Sequence, residues 1–457
     1  MGNVAAVEDK APALKAMEES IIASSACQMH CITTEKEFHA LEQEWDELAR
    51  IANLHVFQTF TWNRIWWKHF GGNCRLLLLV MRSNDKLLGI APMFQDTVRV
   101  AGLSVYRILR LIGSYVFETA NRPLLGSKAY SDYLDFIIHP GFELQFYTGF
   151  ANFTFEQNDF HHIIFDELNE KSHIWNGLLP LLEKQGFRCR VSDTSRCPVI
   201  EKVQDWEGYL SDRSLKERAS LRKALRRYSN GDCRIFQIAE ANGHGGISEN
   251  IDRLMDLHQQ QWNSKGLTGS FAEPCMRGFF KEFFHTLHAR GQAHVFCAYQ
   301  ANQIADGREL AMNAVIKYND RMYLVHRALD LASDLLNKAP GRALLVHNIR
   351  MALEKGLVLE LLRGDEIHKY SVATNISINK TLKVCCDGWY ARVMGSLIFM
   401  YLKARRRVAI ERCLFRIIIG RGPYILSWFT YLATIYKRVS NRFLDLKYSD
   451  HSKDLVI

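Results

Sequence analysis

Apolar positions recur at spacings of three and four at Phe38, Leu41, Trp45 and Leu48, which predicts an opening helix. An aromatic run follows, Val56-Phe57-Gln58-Thr59 with Trp62, Trp66 and Trp67. Arg75–Met81 and Lys86–Phe94 then read as strands. Ser83-Asn84-Asp85 between them is turn chemistry, so the pair predicts a β-hairpin. Tyr133–Ile138, ended by Pro140-Gly141, and His162–Phe165 are further strand candidates. Leu178–Gln185 reads as a helix closed by Gly186.

The same order then returns. Ile251, Leu254, Leu257, His258 and Trp262 share one helical face, Gly269-Ser270-Phe271 follows, and a helix is expected over Arg277–Ala289. Strand runs come at His294–Tyr299, Leu310–Tyr318 and Arg321–His326, with Asn319-Asp320 at the second turn. A helix ending in Trp, an aromatic loop, a helix and a hairpin thus occur twice, which predicts two similar α/β halves. The expected boundaries are a disordered lead-in over 1–30, halves over 31–200 and 201–390, and a helical extension over 391–457. Between the halves, Ser214-Leu215-Lys216-Glu217 is a capping box. After it, Arg218, Arg222 and Arg226 share a face beside a stripe of Leu221, Leu225 and Tyr228. That face is either a solvated surface or an electropositive wall near an anionic substrate.

The segment expected to carry chemistry begins at Pro340-Gly341-Arg342, ahead of a helix over Ala343–Lys355 stopped by Gly356. A glycine loop at a helix N-terminus is a natural anion site, because unpaired N–H groups and the helix dipole both favour negative charge; a pyrophosphate would fit there. The apolar strand Leu357–Leu362 leads into Arg363-Gly364-Asp365-Glu366-Ile367-His368-Lys369-Tyr370. Ligands of open α/β sheets bind past strand ends. Asp365, Glu366 or His368 would serve as a general base toward an amine, and Tyr370 as a proton donor to a leaving thiolate. Arg363 and Lys369 are candidate substrate-binding cations, with Arg218 and Arg222 from the basic helix. His258 and His326 read as helix-face and hairpin residues rather than ligands. No HExxH, GxSxG or Walker A pattern occurs, and no metal is expected.

Charge adds one feature. Trp389–Lys447 holds twelve Lys or Arg against Glu411 and Asp445, so this stretch carries +10 and the rest of the chain about −1, for a net charge of +9. Its apolar blocks, 396–401, 408–419 and 424–436, fall short of the ~20 uncharged residues of a spanning helix. An interfacial helix on an anionic membrane surface is expected, with a helical hairpin packed on the fold as the other reading. Residues 1–25 lack an apolar signal region, and Ala6 breaks a myristoylation pattern. Eleven scattered cysteines without a CxxC pair read as reduced thiols, pointing to a cytoplasmic location, peripheral on the membrane.

Taken in order, these pieces resemble the BioF2-like, GNAT-type acetyltransferase family associated with cellulose and exopolysaccharide synthesis, itself similar to the Fem-type aminoacyltransferases. The matching residues are Val56-Phe57-Gln58-Thr59 with Trp62, Trp66 and Trp67; Leu88-Gly89-Ile90-Ala91-Pro92; Tyr133-Leu134-Asp135 before Pro140-Gly141; Cys197-Pro198; the Leu215–Arg227 helix; His258 with Trp262; Pro340-Gly341; and Leu361-Leu362-Arg363-Gly364-Asp365-Glu366 with Lys369. They span roughly residues 35–385. The resemblance implies a tandem GNAT fold, acetyl-CoA or another acyl-CoA as donor, and a small-molecule or glycan amine acceptor. It also implies polysaccharide synthase components as partners, with nucleic acid not expected. His368 stands where the family has an aromatic residue, and Ala305–Arg308 suggests a late start for the strand after it. The first half lacks an Arg-Gly-Asp-Glu equivalent and is expected to be a scaffold and acceptor-binding half. Two rival readings remain at this point: a Fem-like transferase using aminoacyl-tRNA, and a non-catalytic membrane-associated partner of a polysaccharide synthase.

Overall fold

The computed structural model describes residues 27–100, 103–114, 131–157, 159–201, 205–229, 235–241, 246–266, 269–301, 308–364, 366–385 and 393–397. Residues 1–26, Asp365 and the tail beyond residue 397 lie outside the described residues, so the membrane expectation does too; the end of the expected lead-in is instead strand, from Gln28.

Both halves lie within one compact unit and share one mixed sheet of thirteen strands. The first half supplies β1 (Gln28–Ile32), β2 (Arg75–Ser83), β3 (Lys86–Val100), β4 (Leu103–Leu111), β5 (Ile137–Ile138), β6 (His162–Asn169) and β7 (Arg188–Ile200). The second supplies β8 (Phe236–Glu240), β9 (Ala293–Gln300), β10 (Ala311–Tyr318), β11 (Arg321–Leu329), β12 (Val358–Glu360) and β13 (Asn375–Cys385). The order across the sheet is β1-β2-β3-β4-β6-β13-β7-β12-β11-β10-β9-β8, with β5 beside β3. Each half is an antiparallel run ending in a parallel pair, β4 with β6 and β11 with β12. The last strand of each half then crosses over: β13 pairs with β6 and β7 pairs with β12. β7 and β13 also pair with each other, fusing the two expected sheets into one.

The hairpins form because their turns supply left-handed residues. Asn84 (φ 47°) and Asp85 (φ 61°) close β2–β3, and Asn319 (φ 51°) closes β10–β11. Tryptophans hold the halves together. Trp62, on the helix Phe60–Phe70, meets Phe279 and Phe283 of the helix Pro274–Ala289 edge-on, with ring centroids 5.0 and 4.7 Å apart. Its indole N–H donates to Ser131 at 2.9 Å, and that of Trp45 donates to the Gln58 carbonyl at 2.7 Å, so both buried rings keep a polar partner.

Two expected strands are shorter than read. Of Tyr133–Ile138 only Ile137–Ile138 is a strand, because Tyr133 is left-handed (φ 56°) and Leu134 bridges to Leu168 instead. Leu357–Leu362 contracts to Val358–Glu360, because Leu362 also turns left-handed (φ 56°). The strand expected to start late starts at Ala311. β1, β4, β7, β8 and β13 were not expected; in β13 the polar side chains of Asn379 and Thr381 occupy buried positions, which erases the apolar signature.

Candidate functional site

The parallel pairing of β11 with β12 lasts three residues, from Arg321–Val358 to Tyr323–Glu360. Beyond it β11 continues to Leu329, while the chain after β12 turns away at Leu362. A cavity of about 580 Å³ occupies the parting. Leu324–Leu329, Ala339–Arg342, Leu362, Arg363, Glu366, His368 and Lys369 line it, with His258, Gln261, Trp262, Lys265 and Ser270 from the side of the helix Gly246–Ser264 and Asp132 from the first half.

The strand alternation divides the lining. Met322 and Leu324 pack in the core beneath the helix Pro340–Glu354, whereas Tyr323 and Ala328 join the core beneath the helices Gly246–Ser264 and Pro274–Ala289. His326 follows the second set, its ring 5.4 Å from that of His258 and 4.7 Å from those of Phe271 and Phe280. Arg327 follows the first and donates through Nη2 to the Gly341 carbonyl at 3.0 Å. Two adjacent residues thus face opposite sides of the sheet, and the cavity passes between the sides.

The Arg327 side is built for an anion. The helix Pro340–Glu354 starts after left-handed Ala339 (φ 55°) with no side chain capping its N-terminus. Gly341 lets β11 come close: a Cβ there would stand 2.7 Å from Leu329 Cδ2. The Nε and Nη1 of Arg327 are shielded from water and have no partner among the described residues. Burial lowers Arg327 only to about 10, so it stays charged at pH 7. Arg342 lines the same side, donates to the Ser371 hydroxyl at 3.1 Å, and is lowered by burial. Pro340, Gly341 and Arg342, read from sequence as an anion site, stand together here. Arg327 was missed, although its place on the strand before Pro340-Gly341 was a usable signal.

The first half has the counterpart of this helix start in Pro140-Gly141, ahead of the helix Glu143–Gln157. There the Gly141 N–H donates to the side chain of Glu143 at 2.8 Å, so a carboxylate from the chain itself takes the anion's place.

The loop after β12 is tied by its own cation. Lys369 donates to the carbonyls of Arg363 (2.8 Å) and Leu362 (3.4 Å) and pairs with Glu366 at 3.4 Å. Lys369 therefore fastens the loop as well as lining the cavity. Glu366 is half-exposed; burial raises its carboxyl, but Lys369, a backbone hydrogen bond and His368 together bring it below the usual range. His368 is held low by partial burial and then by Arg327, so it is neutral at pH 7. Tyr370 ends the short helix Ile367–Tyr370 and is not among the cavity's lining residues.

Arg363 lines the cavity and is also engaged by the first half. Its guanidinium lies 3.3 Å from Asp132 and 2.9 Å from Glu167, both of the first half, and donates to the Ser131 carbonyl at 2.9 Å. Asn379 donates to the same two carboxylates at 3.2 Å. Burial raises the Asp132 carboxyl and Arg363 opposes it. Arg363 thus joins the halves at the cavity wall.

Arg218 and Arg222 do not reach the cavity. The capping box forms, Ser214 and Glu217 exchanging bonds at 3.1 and 3.3 Å, and starts the helix Leu215–Ser229. Arg218 donates to the carbonyls of Ser211 and Arg213 at 3.2 Å, and Arg222 pairs with Glu207 at 2.7 Å. Among the described residues no cluster of His, Cys, Asp and Glu is arranged to hold a metal ion, and no helix is long and apolar enough to cross a membrane.

Residues 216–370 match the family of the acetyltransferase (GNAT) domain, a segment that contains the cavity-lining helix, β11, β12 and the loop after it. No curated protein matches the chain in sequence. Among solved structures, FemX is similar over 77% of this chain and 96% of its own, at 11% identity and a TM-score of 0.51, a likeness of fold. The structure of L-PGS from Bacillus licheniformis aligns over 80% of this chain and 97% of its own, at 10% identity and a TM-score of 0.44. A tandem GNAT protein from the clavulanic acid biosynthesis pathway aligns over 79% and 100%, at 9% identity and a TM-score of 0.40. The chain is an acyltransferase of mixed α/β fold whose residues 216–370 match a GNAT-type acetyltransferase domain.

Proposed function

We propose that the protein transfers an acyl group from acyl-CoA to an amine, with the donor entering on the Arg327 side of the parted strands and the amine on the His258 side. The observation that carries this reading is the uncapped start of the helix Pro340–Glu354, flanked by Arg327 and Arg342 at one side of a cavity that passes through the sheet. A pyrophosphate there would accept from helix N–H groups and two guanidiniums. The thioester would then lie in the parting. The amine nitrogen attacks its carbonyl carbon, the C–N bond forms, the C–S bond breaks, and the thiolate leaves. The amine's surplus proton passes to a base, for which Glu366 and His368 stand on the loop beside the cavity; Asp365 remains a candidate. Orientation of the two reactants can supply roughly 7–11 kcal/mol of the barrier, so the fold asks little of any one side chain.

We further propose that the acceptor is an amine or amino sugar of envelope polysaccharide synthesis, on the resemblance to the BioF2-like proteins, and that the basic tail holds the enzyme at a membrane surface. The test is thiol release from acetyl-CoA by the full chain with a panel of amines and amino sugars. Release that depends on an amine supports the reading. No release, together with transfer from an aminoacyl-tRNA, replaces the donor.

A further inference from the structure

The His258 ring is 8% exposed and lines the cavity on the side opposite Arg327. Trp262, one turn along the same helix, donates its indole N–H to His258 Nε2 at 3.0 Å. An indole nitrogen can only donate, so Nε2 must be the lone-pair nitrogen and the proton must sit on Nδ1. Lys265, just past the end of that helix, places its ammonium 5.3 Å from the centre of the Trp262 ring. Burial and then Lys265 hold the imidazole at about 4, so the ring is neutral at pH 7. The Nδ1–H is shielded from water and has no partner among the described residues. An acceptor atom brought into the cavity would satisfy this donor.

We propose that His258 is a fixed hydrogen-bond donor that positions an oxygen of the acyl acceptor, and that Trp262 sets this role by holding the imidazole in its Nδ1–H tautomer. The inference rests on the acyl-CoA reading above. It makes His258 a specificity-determining residue, not the base, because its only lone pair is occupied. It also names the acceptor class: an amine carrying a hydroxyl or carboxylate oxygen near the reacting nitrogen. A site with an unpaired buried donor discriminates strongly against analogues lacking the oxygen.

The experiment compares glucosamine with cyclohexylamine, a six-membered ring amine without oxygen, as acceptors from acetyl-CoA, in the full chain and in its His258→Leu, His258→Asn and Trp262→Phe variants. The wild type should favour glucosamine in kcat/KM by roughly tenfold or more. His258→Leu should abolish that preference mainly through KM while leaving acetyl-CoA affinity unchanged. His258→Asn, which keeps an N–H near the Nδ1 position, should retain part of it. In parallel, nitrogen-15 NMR of the imidazoles should show a neutral Nδ1–H tautomer that becomes a mixture in Trp262→Phe. An Nε2–H tautomer in the wild type, a preference surviving in His258→Leu, or equal or absent turnover of the two amines by a protein that binds acetyl-CoA overturns the inference. Failure to bind acetyl-CoA would instead remove the donor reading on which it rests.

Discussion

Arg327 donates to the carbonyl oxygen of Gly341 at 3.0 Å, so the end of β11 is fastened to the first turn of the helix that follows it. The bond uses one of the guanidinium's donors and leaves Nε and Nη1 beside the uncapped helix start. One residue thereby both shapes the anion cradle and charges it. The corresponding helix start in the first half is met by Glu143, so under the proposed reading the donor is left to the second half.

The loop after β12 depends on Gly364. Its φ is 148°, and a Cβ there would lie 2.1 Å from Glu366 Oε2 and 2.7 Å from Lys369 Nζ. Gly364→Ala should cost about 1–3 kcal/mol in urea unfolding and reduce acyl transfer, because the loop cannot keep both its backbone and its lysine tie. Wild-type stability and rate in this variant would show that the loop is not built as described.

Arg363 answers two buried carboxylates from the other half. Arg363→Met should destabilise the protein by roughly 3–5 kcal/mol, since Asp132 and Glu167 would be left buried without their cation. Adding Asp132→Asn should recover part of the loss by removing one of the uncompensated charges. Unfolding curves of the single and double variants check this; a double variant less stable than the single would contradict it.

Asp135 gives a pH signature. Burial raises its carboxyl to about 6, above the value of about 3.9 in an unfolded chain. The folded state therefore keeps a proton that the unfolded state has released, and this group's contribution to stability falls as pH rises from about 4 to about 6. The loss amounts to roughly 3 kcal/mol. Asp135→Asn should remove that slope and be the more stable protein at pH 7. Parallel stability–pH curves for the two proteins would refute the assignment.

The basic helix offers a contrast. Arg222 is half-exposed and paired with Glu207, so Arg222→Ala should change stability by no more than about 1 kcal/mol and leave acetyl-CoA affinity unaltered. Arg342→Ala, on the cradle, should weaken that affinity. Equal losses in the two variants, read by calorimetry, would show that both cations meet the donor.

The hairpins and the helices ahead of them were legible because their apolar periods and their Asn-Asp turns are local features. The crossing of β7 and β13 was not, since a strand that pairs across the midline of the sheet carries buried Asn379 and Thr381 in place of an apolar alternation. Pro340-Gly341-Arg342 could be read from helix-start chemistry alone. Arg363 could be placed by sequence beside the site, but its commitment to Asp132 and Glu167 joins residues some two hundred positions apart. His258 and His326 looked ordinary for the same reason: each is unremarkable on its own element, and only the fold brings the rings 5.4 Å apart on the cavity wall.

The central claim is that Arg327 and the helix start beside it receive the anionic end of an acyl-CoA. The measurement is calorimetric titration of acetyl-CoA into the full-length wild type and Arg327→Met. The account predicts micromolar binding to the wild type and an affinity lower by about 10–100-fold in the variant, the worth of a charge-assisted hydrogen bond. Equal affinity in the two proteins would place the donor elsewhere, and no binding to either would contradict an acyl-CoA donor altogether.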